Sequence, residues 1–183
     1  YNCLYMPFYF TLMNIDGESI SLENDGKYIL DKKEQTITVP GIDAAPIPVW
    51  NTSFSAPVKI NYEYSITELL TIMGSSSDSY SRYNAANTLY KKEIDKLVNC
   101  QVEKRELEVE PKLLEAVEKI LEDSTLENEC KSYLLHVPSE KAIFDTKDKY
   151  DFEKYKVARD FLIKTIGMSL FDLLTSEVTK LEQ

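Results

Sequence analysis

The sequence predicts a multi-domain, β-then-α chain. A partial Ig-like β-sandwich over residues 1–64 is followed by an α-helical, HEAT/armadillo-like superhelical segment over residues 65–183. Three observations predict it. Before Ser65 the apolar pattern has a period near two and is punctuated by turn residues. From Ser65 onward the period becomes 3.6. Most of the prolines and glycines, and the single Trp, fall in the first segment, where strands and turns use them.

The first segment divides into short runs. Residues 6–15 (MPFYFTLMNI) are rich in sheet-forming side chains and stop at Asp16-Gly17, a strong turn signal. Residues 19–22 form a brief second run, and Asn24-Asp25-Gly26 turns the chain again. Residues 27–30 follow. Residues 35–39 (QTITV) alternate polar and apolar before Pro40-Gly41, and residues 56–62 (APVKINY) alternate once more. Five or six short strands at this spacing predict a sandwich, with its first strand or strands missing because the run begins at the chain's own start.

In the second segment, Ser65-Ile66-Thr67-Glu68 is a capping box opening a short helix over residues 66–73. Asp78 or Ser79 caps the next helix, which runs to Asn99 with Tyr83, Ala86, Leu89, Tyr90, Ile94 and Leu97 on one face. Residues 100–109 are polar and predict a loop. Pro111 suits a first helical position and opens a helix with Leu113, Leu114, Val117, Ile120 and Leu121 inward. Another helix covers residues 126–136 and stops at Val137-Pro138, and a brief one follows Ser139. The last predicted helix covers residues 151–181, with Gly167 marking a kink or break.

Composition narrows the function classes. The chain has 183 residues, 43% of them hydrophobic, and a net charge of −10. Such acidity repels phosphate backbones, so no nucleic-acid partner is expected. No apolar run reaches the ~20 residues that span a bilayer, so no membrane partner is expected either. The start at Tyr1, inside an aromatic run, reads as a piece cut from a longer protein. Cys3, Cys100 and Cys130 lack metal-ligand spacing, and they read as buried or half-buried thiols in a reducing, cytoplasmic setting. Asn51-Thr52-Ser53 forms a glycosylation sequon, which reads as a chance match.

The search for chemistry returns no catalytic, cofactor-binding or metal-binding residue. A zinc hydrolase needs three protein ligands, and His136 is the one histidine. It ends a helix, where an imidazole can pair with free carbonyls. A Ser-His-Asp triad lacks a framing GxSxG, and no glycine-rich phosphate loop is present. Glu103, Glu106, Glu108 and Glu110 read as a solvated charged loop. Arg82 lies four residues after Asp78 and reads as an ordinary helix pair or cap.

One run carries more. Ser53-Phe54-Ser55-Ala56-Pro57-Val58 resembles the FSAPV motif of the bacterial and protozoan aminopeptidase N family, zinc-dependent alanyl-type aminopeptidases. Pro46-Ile47-Pro48 resembles that family's proline-rich approach to the motif, and residues 7–20 its strand-turn-strand. Arg82, Tyr83 and Ala85 match a helical pattern downstream. Leu135, Pro138, Ser139 and Glu140 match an L-x-L-P-S-E segment, and residues 160–173 resemble the helix after it. Thr52-Ser53 stand where the family often has Arg-Gly, and His136 stands where it often has Thr.

The resemblance implies a place in an enzyme without its active site. In that family zinc is held by HExxH and a downstream Glu, and GxMEN binds the substrate's amino terminus; neither motif occurs here. Zinc is thus implied for a catalytic domain outside this chain, and no cofactor is implied for the chain itself. The implied role is to buttress that domain and shape access to its cleft. The implied partners are the catalytic domain, the remaining C-terminal helices and, for the parent, peptides. The chain alone is expected to be inactive and to self-associate through exposed apolar surface. The alternative is a catalytically inactive scaffold or protein-interaction module with an aminopeptidase-like framework.

Overall fold

Strand β1, Met6–Met13, takes partners on both halves of its length. The computed structural model describes residues 5–144, 147 and 150–181, so Cys3 lies outside it. The first half of β1 pairs antiparallel with β3, Lys27–Leu30, placing Tyr9 opposite Lys27. The second half lies between β2, Ser19–Ile20, and β4, Ile47–Trp50, with Phe10 opposite Trp50 and Leu12 opposite both Ile20 and Pro48. The change of partner happens at Phe10. There Gly26 approaches so closely that a Cβ would lie 1.9 Å from the Phe10 carbonyl oxygen, and its φ of +72° is one that glycine adopts freely.

Two predicted strands are absent, and one strand forms that the pattern does not predict. Residues 35–39 join no ladder; their polar side chains face solvent and Pro40 ends the run without a donor. Residues 56–62 also join none. The Ala56 amide donates to Asn51, Pro57 has no amide proton, and the Val58 amide turns back to the Ala56 carbonyl. The stretch is held by rings instead: Tyr62 meets Trp50 edge-on at 6.1 Å, and the Tyr64 hydroxyl donates to the Pro48 carbonyl at 2.6 Å. β4 forms despite Pro46 and Pro48 because it is an edge strand. Within a strand the N and O of one residue point the same way, so Pro48 turns its missing donor away from β1 and offers its carbonyl to Tyr64.

The chain divides into two compact units, residues 1–85 and 86–183. Besides the four strands, the first contains helix α1, Ile66–Ser75, and the opening turns of α2, Ser79–Val102. The predicted capping box is formed in α1, with the Ser65 hydroxyl accepting from the Glu68 amide and the Glu68 carboxylate accepting from the Ser65 amide. Its core is Phe10, Leu12, Met13, Ile47, Val49, Leu69, Ile72 and Met73, all buried. Each such side chain contributes about 1.5–3 kcal/mol relative to exposure.

Among the described residues, the second unit holds the rest of α2 and five further helices. These are α3 (Pro111–Glu122), α4 (Asn128–Leu135), α5 (Glu140–Phe144), α6 (Phe152–Ser169) and α7 (Phe171–Leu181). Pro111 takes the first turn of α3, as its sequence predicts. The amide of Glu110, just before it, is satisfied by the buried Glu93 carboxylate at 2.9 Å. Tyr90, Ile94, Leu97, Leu113, Val117, Ile120, Leu134, Ile143, Ala158 and Leu162 form the core. Tyr83, predicted on the inner face of α2, is instead 38% exposed. The predicted single last helix is two. The break comes at Leu170, whose φ of −114° and ψ of 20° leave the helical region, while its side chain stays buried.

Candidate functional site

The FSAPV run lies at a turn of the first unit that several hydrogen bonds hold. Asn51 has φ 58°, Ser53 55° and Phe54 51°, so three left-handed residues occur within four positions. Each such non-glycine residue costs on the order of 1 kcal/mol or more. Side-chain bonds hold the turn in place. Asn51 is buried; its Nδ2 donates to the Ala56 carbonyl at 2.9 Å, and its Oδ1 accepts from the Ala56 amide at 2.8 Å. The Ser55 hydroxyl also donates to Asn51 Oδ1, and accepts from the Tyr9 amide on β1.

Asp78 ties this turn to the start of α2. Its Oδ1 accepts from both the amide and the hydroxyl of Ser53, each at 3.1 Å. Its Oδ2 accepts from the Ser81 amide at 2.9 Å and from the Ser81 hydroxyl, which makes Asp78 the N-cap of α2. Arg82 does not pair with Asp78 among the described residues. Buried at 8% exposure, it turns its guanidinium to the Met73 and Gly74 carbonyls at 2.8 and 3.1 Å, closing the C-terminal end of α1. Phe54 faces solvent at 55% exposure, its ring 5.3 Å from that of Tyr80.

The Pro138-Ser139-Glu140 positions are held by Arg159 of α6, which donates to the Pro138 carbonyl at 2.8 Å and lies 3.7 Å from the Glu140 carboxylate. Sequence reasoning did not single out Arg159, and it noted Asn51 only as part of a chance sequon. A buried Asn in a sequon and an Arg on a helix carry no local signal of the bonds they make.

No Ser-His-Asp arrangement is assembled among the described residues. His136 is exposed, and its amide closes α4 onto the Tyr133 carbonyl; among the described residues its imidazole bonds to no carbonyl. Glu103, Glu106 and Glu108 are exposed, as a solvated loop requires, with Glu103 paired to Arg105. A cavity of about 360 Å³ in the second unit is bordered by Leu121, Lys131, Leu135, His136, Leu174 and Glu177. The Lys131 ammonium there is already engaged, donating to the Leu121 carbonyl at 2.6 Å and to Glu177 at 3.4 Å. No group of three or more His, Cys, Asp or Glu side chains among the described residues could hold a metal ion. Cys100 is buried and Cys130 half-buried, both as free thiols.

A small antiparallel sheet with an Ig-like fold, followed by a run of helices of the armadillo-repeat type, is the class these units define. The chain belongs to the family described as a domain of unknown function with ARM repeats (DUF3458_C), matched over residues 66–183; residues 2–63 match its Ig-like companion, DUF3458. Aminopeptidase N of Haemophilus influenzae is 28% identical over 174 residues, covering 92% of this chain and 20% of that protein. Aminopeptidase N of Escherichia coli is 26% identical over 176 residues, covering 93% and 20%. The crystal structure of Legionella pneumophila aminopeptidase A in complex with aspartic acid superposes with a TM-score of 0.83 at 26% identity, over 97% of this chain and 20% of that one. The expected kinship with aminopeptidase N is therefore present along nearly the whole chain, which spans about one fifth of the length of these curated relatives.

Proposed function

We propose that these residues are the noncatalytic portion of a zinc-dependent aminopeptidase that removes N-terminal amino acids from peptides. They buttress its catalytic domain and shape access to its cleft. One observation carries the reading: the chain aligns collinearly with aminopeptidases over 92% of its length, yet its own bonds are spent on packing and capping. Residues 1–64 serve as the β-sandwich domain and residues 65–183 as part of the C-terminal helical domain. The catalytic domain, with its zinc, and further C-terminal helices of the same polypeptide are the partners, and the parent works in the cytoplasm. Exposed apolar side chains such as Met168, Phe171 and Val178 support self-association of the isolated chain.

The test is a comparison of the parent polypeptide with the 183-residue chain on alanyl chromogenic substrates, with and without a chelator. The parent is expected to release the chromophore in a chelator-sensitive way, and the chain alone is expected to be inert. Zinc-dependent turnover by the chain alone refutes the assignment. A folded but inert parent favours the scaffold alternative.

A further inference from the structure

We propose that the cavity bordered by α3, α4 and α7 binds a free α-amino acid with an apolar side chain. The cavity measures about 360 Å³ and lies wholly within the second unit. That size is at the low end for small-molecule sites, so it suits a ligand of amino-acid size rather than a large cofactor. Helical spacing builds its walls. Asn128, Lys131 and Leu135 come from one face of α4, Leu174 and Glu177 from one face of α7, and Leu121 from the last turn of α3. The three leucines are buried or half-buried and offer an apolar surface.

Two opposite charges stand side by side among them. Lys131 is 8% exposed, and its ammonium lies 3.4 Å from the Glu177 carboxylate. A cation so buried calls for full pairing, and here the pairing is incomplete. Of its three protons, one goes to the Leu121 carbonyl at 2.6 Å and one makes the long bond to Glu177; among the described residues the third has no partner. Glu177 accepts from Lys131 and, at 2.5 Å, from Lys180, which leaves lone pairs on both of its oxygens. The bond from Lys180 above all holds its carboxyl below the usual range, so it is an anion at neutral pH. A donor and an acceptor of opposite charge beside an apolar recess match the head of a zwitterion. The ligand's carboxylate meets Lys131, its ammonium meets Glu177, and its side chain lies against Leu121, Leu135 and Leu174. The chain's net charge of −10 opposes a free anion but not a zwitterion. An aminopeptidase of the kind proposed above would release such amino acids, but the cavity's lining calls for them whatever the parent's activity.

Leucine titrated into the isotope-labelled 183-residue chain, followed by amide shifts in NMR spectra, tests the proposal. Saturable shifts are expected in α3, α4 and α7, with a Kd of about 1 mM, a value that a ligand of so few atoms can reach. Isocaproate lacks the ammonium, isoamylamine lacks the carboxylate, and glycine lacks the apolar body. Each is expected to bind about tenfold more weakly than leucine, or worse, having lost a charge-assisted hydrogen bond or the buried side chain. Glu177→Gln should weaken leucine about tenfold while leaving isocaproate as tight or tighter, because only the ammonium needs the carboxylate. Leu174→Trp, which fills the recess, should abolish leucine binding in a chain whose spectrum is otherwise retained. Absence of saturable shifts with leucine up to about 50 mM overturns the proposal. So does isocaproate binding as tightly as leucine, which makes this a plain anion site, or an unchanged leucine affinity in Glu177→Gln. Saturable shifts confined to the first unit put the ligand elsewhere and overturn it as well.

Discussion

Removing the Asp78 carboxylate is expected to destabilise the first unit by about 2 kcal/mol. The figure comes from its four bonds. The N-cap pair to Ser81 is worth about 1 kcal/mol, the usual cost of replacing a capping Asp by Ala. The two bonds to Ser53 are solvent-exposed and together add about 1 kcal/mol, the low end for hydrogen bonds. For a chain of this length, about 2 kcal/mol corresponds to a fall in midpoint of roughly 4–8 °C. Trp50 is the only tryptophan and lies in β4 beside the turn, so its fluorescence reports this unit during thermal or urea unfolding. Asp78→Ser separates the two contributions: Ser caps a helix well but is too short to reach Ser53, so about half the loss should return. If Asp78→Ser matches wild type, the grip on Ser53 contributes nothing. If Asp78→Ala stays within about 0.5 kcal/mol of wild type, the additive reasoning itself fails.

Gly26→Ala should destabilise by more than about 3 kcal/mol, or abolish soluble expression, because the new Cβ meets the Phe10 carbonyl at 1.9 Å and φ is +72°; urea titration of Trp50 fluorescence checks it. Gly74→Ala should do the reverse. It lies in α1 with nothing within 4 Å of the added Cβ, so a gain of about 0.5–1 kcal/mol is expected by the same measurement. Burial pushes the Tyr64 phenol up to about 12 from its ordinary value near 10. Its folded pKa exceeds its unfolded one, so its contribution is intact below pH ~10 and is lost as pH rises toward ~12. Denaturation midpoints measured across that window should fall, and Tyr64→Phe should make the fall shallower.

Periodicity made most of the helical half legible, because helix caps and breaks are local signals. Ser65 with Glu68, Pro111 and the Val137-Pro138 stop all act within a turn of where they stand. The sheet was less legible because ladders are settled by distant partners. Residues 35–39 alternate well and pair with nothing, while Ile47–Trp50 carries a proline and pairs with β1, since an edge position tolerates what a central strand cannot. At the FSAPV run, family likeness was readable but the physics was not. The left-handed Ser53 is held by Asp78, some 25 residues away in sequence. Arg82 looked like a partner for Asp78 by spacing alone, whereas the open carbonyls at the end of α1 took its guanidinium.

The burial of Asn51 has a consequence for how this protein can be made. Its Nδ2 is the atom to which an N-glycan would be joined at the Asn51-Thr52-Ser53 sequon, and in the folded chain that atom donates to the Ala56 carbonyl at 2.9 Å. Glycosylating enzymes reach a nascent chain before it folds. Routed through a secretory host, the chain would acquire a sugar where the turn must close, and the β1-to-turn connection through Ser55 would have no place to form. Production in a bacterial cytosol keeps the biosynthetic route compatible with the fold.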